Sequence, residues 1–374
     1  MESVRLELAR RAKRCVVKIG SGVLSAGKNR LSPSMIRRLA HDLADFKSQG
    51  REVVVVSSGA ILAGRERLKI AAKPLTTQLK QAVAAVGQGR LMRAWEEAFA
   101  RQRLSVAQVL LTREDLRERQ RYLNARNTLL TLLRLGVVPI INENDTVAVD
   151  EIKFGDNDVL SALVAGLCDA NLLVLLTDQE GLYSSNPRTD SQARLIESVK
   201  ENQSRFHLGR PGPAGSGGME TKVRAARMAA SSGIFSVIAS GFKEGTLDSI
   251  LAGRNIGTIF IPRATPYDKR RQWLAFASHP RGHIQVDDGA RQALVRRSKS
   301  LLPSGIKSLS KAFESGDVVS LVFDGVEFAR GLTNYSSKEL EKIKGLKTAQ
   351  IEGVLGYKPA DEVVHRDNLA LLHL

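Results

Sequence analysis

PIINENDTVAVDEIKFGDNDVLSAL, residues 139–163, is the stretch on which the fold turns. An apolar run, Val137 to Ile141, stops abruptly at Asn142-Glu143-Asn144-Asp145. A second polar cluster, Gly155-Asp156-Asn157-Asp158, then opens a segment with Val159, Leu160, Leu163, Val164 and Leu167 at helical spacing. Buried strands of parallel sheets read as unbroken apolar runs. Ligands of such sheets gather outside the carboxyl ends of the strands. The stretch therefore predicts a buried strand, a wall for a small polar substrate with a solvated turn as the competing reading, and a helix with Asp156 as its N-cap.

The same pattern extends in both directions. Cys15 to Ile19 reads as a strand that carries Lys18 among apolar neighbours and runs into a loop with Gly20 and Gly22. Burying a lysine without a partner is costly, so its ammonium is expected to leave the strand end toward an anion. The competing reading is an edge-strand lysine. Ser32-Pro33 opens a helix reaching to about Gly50. The strand Glu52 to Val56 stops at Ser57-Ser58-Gly59-Ala60. Helix follows from Thr76 to Gln102, with Gly87 and Gly89 as expected interruptions. Then come a strand at Val106 to Leu111, one helix at Leu116 to Leu135, and a strand at Leu172 to Leu176 ending in Thr177-Asp178. A Gly- and Pro-rich passage, 209–222, leads into a helix at Val223 to Ser232 and a strand at Ile234 to Ala239.

Strands alternating with helices predict an α/β layered fold, a three-layer sandwich with a mostly parallel sheet, over 1–262. The pattern breaks at 263–280, a linker. Short strand-like pieces follow at Ile284 to Val286, Val318 to Phe323, Val326 to Ala329 and Val363 to Val364. They predict a small β-barrel over 281–374.

Composition narrows the class. No apolar run reaches the roughly 18 residues that span a bilayer, and the N-terminal MESVRLELARRAKR has no secretory apolar region. A cytoplasmic protein is expected, with no membrane partner. Cys15 and Cys168 both sit in apolar surroundings, so they read as buried hydrophobes rather than a disulfide or metal pair. The histidines show no metal-ligand spacing, and no metal site is assigned. The net charge of +17 raises the question of nucleic acid. Residues 281–374 hold 14 Lys+Arg against 12 Asp+Glu, so the excess lies in the first 280, with 42 against 27. A basic surface that attracts anionic substrates, or is simply solvated, accounts for that charge as well as RNA does, and RNA is the weaker reading.

GSGGMETK, 215–222, is a Gly-rich loop entering a helix, and such loops aim backbone N–H groups at phosphate. Its spacing is not that of a Walker A loop, and alone it reads equally well as a plain flexible loop. With Lys222 and the distant Lys18 meeting on one phosphoryl group, electrostatic positioning suffices for phosphoryl transfer. A carboxylate acceptor, with a reference pKa of about 4.3, needs no general base at neutral pH. Asp158 then serves to hold the lysines rather than to take a proton.

Taken together, KIGSGVL (18–24), VSSGAILAGRERL (56–68), LLTREDLRERQRYLNARNTL (110–129), INENDTVAVDEIKFGDND (141–158), LLTDQEGLY (175–183) and GSGGMETK (215–222) resemble the bacterial glutamate 5-kinases of the amino acid kinase superfamily. GHIQVDDGARQAL (282–294), SLLPSGI (300–306) and GYKPADEVVHRDNL (356–369) resemble a PUA domain. The resemblance implies ATP-dependent phosphorylation of the L-glutamate side chain, with Mg²⁺, as the first step of proline synthesis. It assigns Lys18, Lys222 and Asp158 to catalysis, and Ser58, Asp145 and Asn157 to glutamate. Thr177, Asp178, Ser216, Gly217, Gly218, Met219, Glu220, Thr221 and Lys222 fall to the nucleotide. It further implies a homodimer or homotetramer, proline as feedback inhibitor, and glutamate-5-semialdehyde dehydrogenase as recipient of the product. Ser216 stands where the family often has Thr, and Glu220 adds a negative charge that has to point outward.

Overall fold

The computed structural model describes residues 2–70, 75–148, 157–187, 189–200, 218–262 and 273–372. The chain divides into two units, 1–266 and 267–374. Residues 263–272, within the expected linker, and Asp156, the expected N-cap, lie outside the described residues.

In the first unit the strands are β1 (Arg14–Ile19), β2 (Glu52–Ser57), β3 (Val106–Leu111), β4 (Val138–Glu143), β5 (Leu172–Thr177), β6 (Ser198–Val199), β7 (Phe235–Ser240) and β8 (Thr258–Phe260). The helices are α1 (Glu2–Arg11), α2 (Ser21–Leu24), α3 (Pro33–Ser48), α4 (Ala60–Leu68), α5 (Thr77–Ala100), α6 (Arg113–Arg117), α7 (Arg119–Arg134), α8 (Asn157–Leu167), α9 (Met219–Ser231) and α10 (Thr246–Leu251). The strands form one sheet in the order β3-β4-β2-β1-β5-β7-β8-β6. Every pairing is parallel except β7 with β8.

Alternation along the central strands sorts side chains to two faces. Cys15, Val17 and Ile19 of β1, with Val53, Val55, Leu172, Val174 and Leu176, face a core built with α1, α3, α5 and α10. Val16 and Lys18 therefore project to the opposite face, where α8 packs on β1 and α9 packs on α8 and β7. Helices on both faces give the three-layer arrangement. The register also levels the carboxyl ends, since Ile19 pairs with both Ser57 and Leu176, and Thr177 with Ser240. Both cysteines are free and buried, and burial pushes the Cys15 thiol well up.

The expected break at Gly87 does not occur, because α5 is a single helix. A Cβ on Gly87 would lie 1.8 Å from the Ala60 carbonyl oxygen, and one on Gly64 would lie 1.9 Å from that of Val83. The two glycines let α4 and α5 cross in backbone contact, and the packing gained outweighs the poor helix propensity of glycine. Gly87→Ala is expected to cost about 1–3 kcal/mol or more. Nothing lies within 4 Å of a Cβ at Gly89, so Gly89→Ala is the control and is expected to leave the denaturant midpoint in place or raise it.

The single helix expected over Leu116 to Leu135 is instead two, α6 and α7, broken at Glu118. Its carboxylate accepts the N–H groups of Gln120 and Arg121 at 2.9 and 2.8 Å, which starts a new helix. These donors also hold the Glu118 carboxyl below its ordinary range. At the N-terminus, the Arg5 guanidinium is buried and donates to the carbonyls of Ile256, Glu197 and Gly257 at 2.8, 3.0 and 3.1 Å. It ties α1 to the chain entering β8. Trp95 is fully buried in the core, and its indole N–H donates to Ser57 Oγ at 2.9 Å.

The second unit is β-rich. β9 (Gly282–Val286), β10 (Ile306–Ser310), β11 (Val318–Phe323), β12 (Val326–Leu332) and β13 (Leu369–Leu371) form a sheet in the order β10-β9-β11-β12-β13. Helices α11 (Asp288–Arg297), α12 (Ser337–Ile343) and α13 (Ile351–Leu355) accompany it. Ile284, Val319, Leu321, Tyr335, Leu340, Ile351 and Val363 belong to its own core. Val363 to Val364, expected as a strand, contributes only a bridge between Leu301 and Val364. Trp273 packs half-buried against a small satellite of Leu274, Val318 and Ala370 in this unit.

Candidate functional site

The polar residues singled out by sequence collect at the carboxyl ends of β1, β2, β4 and β5. Lys18 is near the end of β1, on the central pair of the sheet, which excludes the edge-strand reading. Its side chain is 3% exposed, and its Nζ lies 2.5 Å from Oδ1 of Asp158, which is completely buried. Lys222, in the first turn of α9, places its Nζ 3.1 Å from the other oxygen, Oδ2. Two lysines more than 200 positions apart thus meet on one carboxylate.

The helices explain the arrangement. Asp158 stands in the first turn of α8, where the positive end of the helix dipole favours a carboxylate. The same dipole disfavours Lys222 at the start of α9, and its ion pair with Asp158 offsets this. Gly218, the α9 N-cap, makes no side-chain cap bond to the helix. Two ammoniums and two helix N-termini meet at this carboxylate, an arrangement that suits a bound anion. Ser161 Oγ donates to the Asp158 carbonyl at 2.6 Å and braces that turn.

Beside it lies an amide cluster. Asn157 Nδ2 donates to Ser58 Oγ and to Asn142 Oδ1, both at 2.9 Å. Its Oδ1 is buried with no hydrogen-bond partner among the described residues. A buried acceptor without a donor is costly, so it is suited to an N–H or ammonium of a bound molecule. Gly59, just after Ser58, has φ of 107°, a left-handed conformation that glycine adopts without strain. Behind the loop, Trp95 and Ser57 hold the end of β2.

Thr177 ends β5 and is buried, with its Oγ donating to Oδ1 of the exposed Asp178 at 3.0 Å. Asp145 is half-buried on the turn that follows β4. Met219 is half-buried in the first turn of α9, and Glu220 is exposed, pointing outward as its charge requires. Thr221 Oγ lies 2.8 Å from Asp158 Oδ2, so its hydroxyl contacts the carboxylate. Ser216 and Gly217 lie outside the described residues. Sequence reasoning did not single out Asn142, which is 4% exposed. Its signal was its place as the first polar residue after the apolar run of β4. Among the described residues no group of three or more His, Cys, Asp or Glu side chains is placed to hold a metal.

The amino acid kinase family profile matches residues 13–240, and the PUA domain profile matches 282–355. A glutamate 5-kinase of Citrifermentans bemidjiense is 50% identical over 373 residues, covering 99% of this chain and 100% of that protein. One of Moorella thermoacetica is 51% identical, with 98% of each chain covered. The crystal structure of an isopentenyl phosphate kinase substrate complex shares the fold, with a TM-score of 0.50 at 18% identity over 66% of this chain and 99% of that one. Identity at this level over essentially the whole length, on an eight-stranded sheet carrying the two-lysine cluster, places the chain in the amino acid kinase family, among the glutamate 5-kinases that bear a C-terminal PUA domain.

Proposed function

We propose that this chain is an ATP-dependent glutamate 5-kinase, converting L-glutamate to L-glutamyl 5-phosphate at the first step of proline biosynthesis. The observation that carries the reading is the pairing of Lys18 and Lys222 on the buried Asp158. Phosphoryl transfer is governed by positioning and charge. The two ammoniums stand ready to neutralise the transferring group, while Asp158 fixes their separation. The acceptor carboxylate is ionised at neutral pH, given a reference value of about 4.3, so no base is called for.

Ser58, Asn157 and Asp145 bind glutamate in this reading, with Asn142 supporting Asn157. Thr177, Asp178 and the first turn of α9, Thr221 apart, take the nucleotide, with Ser216 and Gly217 preceding it. Mg²⁺ would accompany the nucleotide and would supply positive charge to its phosphates. The resemblance supports the finer points: proline as feedback inhibitor, a homodimer or homotetramer, and transfer of the labile product to glutamate-5-semialdehyde dehydrogenase. No described helix is long and apolar enough to cross a membrane, and we place the enzyme in the cytoplasm.

The test is hydroxamate formation, which traps an acyl phosphate, in the presence of ATP and glutamate, repeated with aspartate and with proline added. Product with glutamate alone supports the reading. Equal product with aspartate, or none with either, overturns it. Asn157→Ala is expected to raise the glutamate KM about tenfold or more through loss of buried hydrogen bonds, with a smaller change in kcat. An unchanged glutamate KM removes Asn157 from substrate binding.

A further inference from the structure

The resemblance assigns Thr221 to the nucleotide, but its hydroxyl lies 2.8 Å from Asp158 Oδ2 and 2.9 Å from the Gly218 carbonyl oxygen. Both of these oxygens are acceptors, and a hydroxyl has one proton to give. The bond to an ionised acceptor is about twice as strong as one to a neutral carbonyl, so the carboxylate takes it. Oδ2 then has two donors from one helical turn, Thr221 and Lys222, with the lysine at the longer distance of 3.1 Å.

We propose that Thr221 is a positioning residue for phosphoryl transfer. Its hydroxyl supplies part of the stabilisation that the buried carboxylate requires, so that Asp158 holds the adjacent Lys222 ammonium at 3.1 Å rather than drawing it further in. Without that hydroxyl, Asp158 draws Lys222 inward and away from the transferring group. The inference rests on the kinase reading above and deepens it.

Thr221→Val removes the hydroxyl at nearly constant size, and Thr221→Ser keeps it. The valine variant is expected to lose roughly ten- to a hundredfold in kcat, from one hydrogen bond to a charged group. Its KM for ATP is expected to stay within about twofold, because the lost interaction acts in the transition state. The serine variant recovers kcat. Wild-type kcat in the valine variant, a raised KM for ATP with kcat retained, or no recovery with serine overturns the proposal.

An activity-independent measurement accompanies this. The shift in denaturant midpoint caused by Thr221→Val is expected to shrink in an Asp158→Asn background, as coupled neighbours require. An equal shift in both backgrounds overturns the proposal. If the unaltered chain forms no hydroxamate, the kinase reading fails, while this cycle still decides the bond.

Discussion

Lys222→Ala is expected to lower turnover by about a hundred- to a thousandfold, the range seen when one preorganised transition-state donor is removed. The fold is expected to survive, because Asp158 keeps Lys18 at 2.5 Å and the Thr221 hydroxyl at 2.8 Å. The alanine leaves a gap at the start of α9, where the lysine opposed the helix dipole in any case. Hydroxamate formation gives the turnover, and near-UV circular dichroism reports the packing. Turnover near that of the unaltered chain, with packing intact, removes Lys222 from the transition-state role.

Asp158→Ala has the larger effect on stability. Removing the carboxylate leaves two ammoniums, 3% and 8% exposed at their side chains, facing each other without their shared counter-ion. Breaking a buried pair from one side typically costs about 3–5 kcal/mol, because an uncompensated charge stays buried. The unfolding free energy of the kinase unit is expected to fall by that amount, read as a lower denaturant midpoint, together with activity. Asp158→Asn keeps the volume and one acceptor, and is expected to lose activity with a smaller fall in stability. Midpoints unchanged in both variants show that the lysines are held apart by something other than this carboxylate.

The parallel sheet and the site were legible for the same reason. Apolar runs such as Val137 to Ile141 have one stable place in an α/β fold, and the polar residues that end them stand at the carboxyl edge by construction. Lys18 could be singled out because burial demands a partner. That the partner is Asp158 rather than solvent depends on α8 packing over β1, a contact no local pattern encodes.

The failures have a common cause in tertiary structure. Gly87 breaks a helix by propensity, yet it sits where the Ala60 carbonyl leaves no room for a side chain. Glu118 reads as mid-helix by composition, yet its carboxylate caps a new helix. The short strands β6 and β8, of two and three residues, carry too little pattern to be seen in a sequence. The sequence marks Thr221 as a candidate through the Gly-rich loop, but the 63 positions that separate it from Asp158 hide their contact.

Trp95 lies in the kinase core and Trp273 in the C-terminal unit, and the sequence contains just these two tryptophans. Each half of the molecule therefore comes with its own fluorophore. Exchanging either one for phenylalanine makes the remaining indole emission, excited selectively over tyrosine, specific to a single half, so the melting of each can be followed optically without cutting the chain.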